Sequence, residues 1–231
     1  MELWKSNNGL FVSLLVVACL LLAFGIIADE VMEGATSTFD RYVVVGFRSL
    51  SDPSQPIGPA WLQSTARDVT ALGSVVVLGI ILLSVVGYLF LAQKNVLAWL
   101  MLAAVLGGTL LNSLLKHGFA RPRPDLFFQS TKVFTASFPS GHAALSAITY
   151  LTLAALLTLT TTSRPIRIYF IAVGAFLTLS VGVSRVYLGV HFPTDVLAGW
   201  CIGSAWALGC WAVFSRLQRK GVVEPPGKRP Q

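Results

Sequence analysis

Residues 69–115 read VTALGSVVVLGIILLSVVGYLFLAQKNVLAWLMLAAVLGGTLLNSLL, and Lys94 is the only charge between Asp68 and Lys116. A bilayer hydrocarbon core about 30 Å thick takes about 20 apolar residues in helical form. The stretch therefore predicts two membrane spans, Val69 to Ala92 and Asn95 to Leu115, separated only by Gln93 and Lys94. A joint that short predicts a tight antiparallel hairpin.

Working outward, four more apolar runs of spanning length appear: Leu10 to Ala28, Ala143 to Thr162, Ile168 to Val183 and Val196 to Phe214. The composition agrees. Hydrophobic residues make up 55% of the chain and charged residues 12%, with a mean hydropathy of +0.72. Soluble domains carry about 25% charge, so a water-soluble globule, a disordered chain and a collagen are excluded together. The expected fold is all-α: an integral membrane six-transmembrane-helix bundle. It forms a single domain over 1–220, followed by a Pro/Gly/Lys tail, 221–231, that is expected to be disordered. The first run could be a cleaved signal peptide. Its length and the poor cleavage site at Ile26-Ile27-Ala28 favour an anchor.

Six spans place both termini on one side. Assigning them to the cytoplasm gives nine Lys and Arg there against eight outside, while eight of the ten acidic residues fall outside. The net charge of +7 then belongs to the cytoplasmic side, mostly its tail, and Lys/Arg bias near span ends sets orientation. The expectation is a multi-pass protein of the cell (inner) membrane. The basic tail from Arg216 to Arg229 is read as an orienting or headgroup-touching segment, and nucleic acid is excluded as a partner. Cys19, Cys201 and Cys210 sit inside apolar runs without metal spacing and are read as packing residues. Trp61 and Trp99 are read as interface or packing aromatics, and oligomeric state leaves no trace.

Ionisable residues at span ends are expensive and mark function by default. They gather at three places: Lys116 to Pro124 after span three, Pro139-Ser140-Gly141-His142 before span four, and Ser184 to Asp195 between spans five and six. With alternating helices all three lie on one membrane face, expected to be extracytoplasmic. Lys116, Arg123 and Arg185 suit a multiply charged oxyanion, since Arg forks match phosphate oxygens in pairs and Lys adds a point charge. Ser140 is placed to cap span four, so the N–H groups around Gly141 and His142 would face the same anion. His191 precedes Asp195 by four residues, with Pro193 placed to open span six. A carboxylate beside a histidine fixes its tautomer and supports its charged form, and His142 remains as a proton donor. Two histidines around a cationic cradle specify phosphoryl transfer through a phosphohistidine. His117, Arg121 and Lys132 are read as headgroup-facing.

Lys-x6-Arg-Pro at Lys116 to Pro124, Pro-Ser-Gly-His at Pro139 to His142, and Ser-Arg-x5-His-x3-Asp at Ser184 to Asp195 together resemble the tripartite signature of the type 2 phosphatidic acid phosphatase superfamily. The resemblance implies that His191 is the nucleophile, that Asp195 orients it, and that His142 protonates the leaving oxygen and then activates water. It implies that Lys116, Arg123, Ser140, Gly141 and Arg185 hold the phosphate. It implies no cofactor and no metal, and the sequence offers no carboxylate cluster for Mg²⁺. The expected activity is hydrolysis of a lipid phosphate or diphosphate drawn from the leaflet. Candidate substrates are undecaprenyl diphosphate, phosphatidylglycerophosphate, phosphatidic acid and lipid A. A lipid phosphotransferase would use the same residues. A binder or transporter would need the cations but neither histidine. The segment Asp125 to Ser137, with Phe127, Phe128 and Phe134, and the outer segment Asp29 to Asp68 are expected to shape substrate choice.

Overall fold

The structure is a computed structural model that describes residues 2–119, 121–124 and 136–223. Every regular element among them is helical. The order is α1 (Glu2–Met32), α2 (Ser37–Gly46), α3 (Ala60–Ala71), α4 (Val75–Leu91), α5 (Asn95–Gly118), α6 (Gly141–Ser146), a π-helical turn (Ala147–Leu151), α7 (Thr152–Thr158), α8 (Arg164–Tyr187) and α9 (Pro193–Arg219). The segment α6–π–α7 runs without a break as one rod from Gly141 to Thr158. Five helical stretches are long and apolar enough to cross a membrane, or six if α3 and α4 count as one bent span.

The second expected span needs correction. Val69 to Ala92 is not one helix: α3 ends at Ala71, Ser74 starts α4, and the two axes differ by 48°. Ser74 is the reason for the restart, because its hydroxyl accepts from the Val77 N–H at 3.2 Å as an N-cap. The break frees backbone carbonyls in an apolar setting, where each must find a partner. The Leu72 carbonyl finds one in the Tyr150 hydroxyl, 2.8 Å away in the π-helical turn. The Gln93–Lys94 joint is the tight turn expected, closed by bonds from the Lys94 N–H to the Leu89 carbonyl and from the Ala92 N–H to the Tyr88 carbonyl, both 2.8 Å. Helices α1, α8 and α9 extend past both ends of Leu10–Ala28, Ile168–Val183 and Val196–Phe214 and α5 past the end of Asn95–Leu115, whereas the fourth span, expected over Ala143 to Thr162, starts earlier at Gly141 and ends earlier at Thr158.

Helix α9 is the hub. It packs against α1, α6, the π turn, α7, α8 and α5. Its buried face is built from small residues, Ala198, Gly199, Gly203, Ala205 and Ala207, which let neighbouring backbones approach closely, as membrane helix interfaces require. A Cβ on Gly199 would fall 2.8 Å from the Ser140 carbonyl and 3.0 Å from the Ala143 Cβ, so only glycine allows α6 to sit where it does. Indole N–H groups add interhelical ties, Trp200 to the Thr178 carbonyl at 3.1 Å and Trp206 to the Ala104 carbonyl at 2.7 Å. Such bonds contribute about 0.6 kcal/mol on average inside membranes. Phe24 of α1, Phe119 and Phe138 form an aromatic triangle with centroid separations of 5.0–6.4 Å. Cys19 faces outward on α1, a correction to its reading as a packing residue, while Cys201 and Cys210 are half-buried.

Candidate active site

The C-terminal ends of α5 and α8 and the N-terminal ends of α6 and α9 meet at one end of the bundle, and this brings the three polar stretches together. Lys116 lies in the last turn of α5, Arg123 in the segment after it, Ser140 at the start of α6, Arg185 in the last turn of α8, and Asp195 in the first turn of α9. His142 lies within electrostatic range of Arg185, His191, Lys116 and Arg123, and Lys116 within range of Arg123, Arg185 and Asp195. All eight expected residues therefore share one site.

Pro193 occupies the first turn of α9, where its missing N–H is no loss. Asp195 turns back to accept the Phe192 N–H at 2.9 Å, the acidic half of a capping box. This fixes the carboxylate beside His191, whose Nδ1 lies 3.4 Å from Asp195 Oδ2 and 3.4 Å from Ser137 Oγ. On the other ring nitrogen, Arg123 Nη1 sits 3.1 Å from His191 Nε2 and also donates to the Val190 carbonyl at 2.8 Å. A guanidinium can only donate, so Nε2 carries the lone pair and Nδ1 the proton that faces Asp195. The ring is 1% exposed. Burial pushes its pKa down to about 3, with Arg185 and Arg123 adding to the shift and Asp195 opposing it. His191 rests neutral, with its lone pair on the side of the arginines.

Gly141 is enclosed: a Cβ there would lie 3.2 Å from Lys116 Cε, 3.3 Å from Nζ and 3.7 Å from Asn112 Nδ2. Absence of a side chain lets the lysine ammonium lie against the start of α6. Ser140 holds the N-cap position, but its hydroxyl makes no capping bond; its Oγ is buried without a partner. Its backbone is committed, the Ser140 N–H donating to the Asp195 carbonyl at 2.9 Å. Arg185 is 9% exposed and donates from Nη1 to Thr70 Oγ1 of α3 at 3.1 Å, while its Nε is unpartnered. Buried donors left unpaired cost about 1–3 kcal/mol each, so Ser140 Oγ and Arg185 Nε are two hydrogen-bond donors held ready at the same site.

Four participants were not expected. Arg121, read as headgroup-facing, instead points inward: its side chain is 11% exposed and pairs with Asp195 Oδ1 and Asp40 Oδ2, both at 2.6 Å. Asp40, on α2, is fully buried. Ser137 donates to Asp195 Oδ2 at 2.5 Å. Asn112 is buried one helical turn before Lys116 with its Oδ1 unpartnered; its (i, i+4) spacing from Lys116 is a signal that could have found it. No spacing rule leads to Asp40, one of six acids in the expected outer segment. His117 is exposed, as expected. Lys132, Phe127, Phe128, Phe134 and the tail beyond Val223 lie outside the described residues.

Comparison with known proteins follows the same lines. The family model described as the PAP2 superfamily matches residues 97–219. Phosphatidylglycerophosphatase B of Bacillus subtilis (strain 168) is 33% identical over 186 residues, covering 80% of this chain and 87% of that protein. A lipid A 1-phosphatase of Rhizobium johnstonii is 34% identical over 140 residues, 56% of this chain and 52% of its own length. The crystal structure of the first transmembrane PAP2 type phosphatidylglycerolphosphate phosphatase from Bacillus subtilis superposes with a TM-score of 0.77 at 28% identity, covering 88% of this chain and 98% of that one. With transmembrane helices and as a phosphoric monoester or diphosphate hydrolase, the chain belongs to the PAP2 superfamily.

Proposed function

We propose that this protein hydrolyses a phosphate or diphosphate group of a membrane lipid at the extracytoplasmic face, without a metal, through a phosphohistidine on His191. The observation that carries the reading is the arrangement of His191, neutral, with Nε2 turned to Arg123 and Nδ1 to Asp195. Neutral Nε2 attacks phosphorus, the bond from phosphorus to the leaving oxygen breaks, and His142 supplies the proton that oxygen needs. The phosphorylated ring is cationic, and Asp195 stabilises it across Nδ1–H. Water then attacks phosphorus, His142 takes its proton, and His191 leaves neutral again. Lys116, Arg123, Arg185, Ser140 Oγ and the Gly141 N–H hold the phosphate oxygens through both transfers, strongest when the equatorial charge is greatest. Arg123 must loosen from Nε2 as phosphorus approaches, and its second bond to the Val190 carbonyl keeps it at hand.

A site at the rim of an apolar bundle receives headgroups sideways from the leaflet, which favours a lipid over a soluble ester. Among lipids, phosphatidylglycerophosphate leads, because the relative matched over 87% of its length bears that name; undecaprenyl diphosphate, phosphatidic acid and lipid A follow. His191→Ala is expected to abolish phosphate release from such a lipid in detergent while membrane expression persists. A panel of lipid mono- and diphosphates assayed with EDTA present ranks the substrates and tests the metal-free chemistry together. Turnover retained in His191→Ala rejects the nucleophile, and turnover extinguished by EDTA rejects the metal-free scheme. Labelled phosphate appearing on a second lipid in place of the medium marks a phosphotransferase.

A further inference from the structure

Asp195 and Asp40 are two fully buried carboxylates held by one guanidinium. Arg121 donates from Nη1 to Asp195 Oδ1 at 2.6 Å and to Thr194 Oγ1 at 2.8 Å, and from Nη2 to Asp40 Oδ2 at 2.6 Å and Thr36 Oγ1 at 3.4 Å. Asp40 closes the circuit by accepting from the Thr194 N–H at 3.1 Å and from its hydroxyl at 2.6 Å. The guanidinium lies over the Phe192 ring, 4.5 Å from its centroid, a cation–π contact that fixes its plane. The two residues bonded to Asp40, Thr194 and Arg121, stand next to or upon the carboxylate that serves the nucleophile. None of these groups reaches Nε2, where phosphorus would arrive.

We propose that Arg121, clamped by Asp40 of α2, is a positioning residue: it takes Asp195 Oδ1 so that Oδ2 is presented to His191 Nδ1. This rests on the reading of His191 as nucleophile. A carboxylate has two equivalent oxygens and rotates between them unless both are assigned. Here Arg121 assigns one, and the Ser137 hydroxyl and the Phe192 N–H steady the other. The charge of Asp40 serves a second purpose. It divides the attraction of Arg121 between two anions, leaving Asp195 enough field to stabilise the ring once phosphorylated. The charged groups that act on His191 directly are Asp195 on α9, Arg123 on the segment after α5 and Arg185 on α8, with His142 on α6 facing it; Lys116 on α5 lies beside His142, and Arg121 and Asp40 on α2 stand behind Asp195.

The test uses Arg121→Gln, Asp40→Asn and the double variant in the full-length protein, with phosphatidylglycerophosphate as substrate or, if the panel ranks another lipid first, that lipid. For each, kcat, KM and the acid limb of the kcat profile are measured, alongside acid-quench trapping of phosphoenzyme. Removing the Arg121 cation makes His191 easier to protonate, so the acid limb moves to higher pH; removing the Asp40 anion moves it to lower pH. In the double variant the two charges cancel and the limb returns towards the wild-type position, while kcat stays about tenfold or more below wild type with KM within about twofold. A residue of structure alone moves no limb in opposite directions. Arg121→Gln leaves Asp40 buried without a cation and is the variant at risk of misfolding; the double variant removes both charges, so it and Asp40→Asn carry the test alone if needed. Wild-type kcat in the double variant, or limbs that do not move with opposite sign, overturns the positioning role. Absence of phosphoenzyme in the wild type overturns the nucleophile reading instead, which keeps the two failures apart.

Discussion

As the proposed nucleophile, His191 shows how burial serves chemistry at the level of one side chain. A nucleophilic imidazole must be neutral when phosphate arrives and cationic afterwards, and burial among arginines with one carboxylate on Nδ1 favours that order. The same placement has a cost that can be measured. In the unfolded chain imidazole binds a proton below about pH 6.5, whereas the folded ring holds off to about 3. Between these values the unfolded state carries the extra proton, so stability falls as pH falls, by up to about 1.4 kcal/mol per unit for one proton, and is unaffected above pH 6.5. Thermal unfolding of wild type and His191→Asn in detergent is expected to diverge below pH 6.5, wild type losing Tm faster. Parallel curves would contradict a neutral buried imidazole. At this scale the sequence was legible where charges and histidines gather at one end of the bundle, because these are the polar residues an apolar chain retains at its span ends. Arg121 escaped because a cation beside a span end has a cheap alternative in the headgroup layer, and only the fold reveals the buried acids that draw it inward.

Among the elements, the approach of α6 to α9 decides whether the site exists. Gly199 gives the Ser140 carbonyl its room, and a methyl at 2.8 Å from a backbone oxygen has no flexible neighbour to push aside. Gly199→Ala is expected to separate the two helix starts by a few tenths of an ångström or more. Misplacement on that scale costs activity steeply, so kcat should fall by about tenfold or more, with a modest loss of Tm. An assay on purified, monodisperse protein checks it, and full activity would show that α6 is not pinned there. The places of the long helices and the Gln93–Lys94 hairpin were readable because apolar runs and turn length report on them directly, whereas the helix ends were not, since α1, α8 and α9 continue past the apolar runs. The 48° break between α3 and α4 was not. Thr70, Gly73 and Ser74 are common within spans, and what stabilises the break is a hydroxyl from Tyr150, distant in sequence.

For the molecule as a whole, the proposed orientation follows from six crossings with both ends in the cytoplasm. Alkaline phosphatase fused after Gly118 is expected to be active and a fluorescent protein there dark, with the reverse for fusions after Val223. A fluorescent fusion at Gly118 would place the site on the cytoplasmic face and remove the outer-leaflet substrate. The fold class was legible because a chain this apolar has few ways to satisfy its backbone in lipid. The division of labour within the bundle was not, since the hub role of α9 depends on which small faces meet.

The bond between the Ser140 N–H and the Asp195 carbonyl has a consequence for how such a protein can diversify. It joins peptide groups, so no exchange of side chains short of proline at position 140 deletes it, and the distance between the cradle and the ring proposed to attack is inherited with the backbone. Selection is then free to retool the surrounding loops for new headgroups, generation after generation, without detuning the reaction they feed.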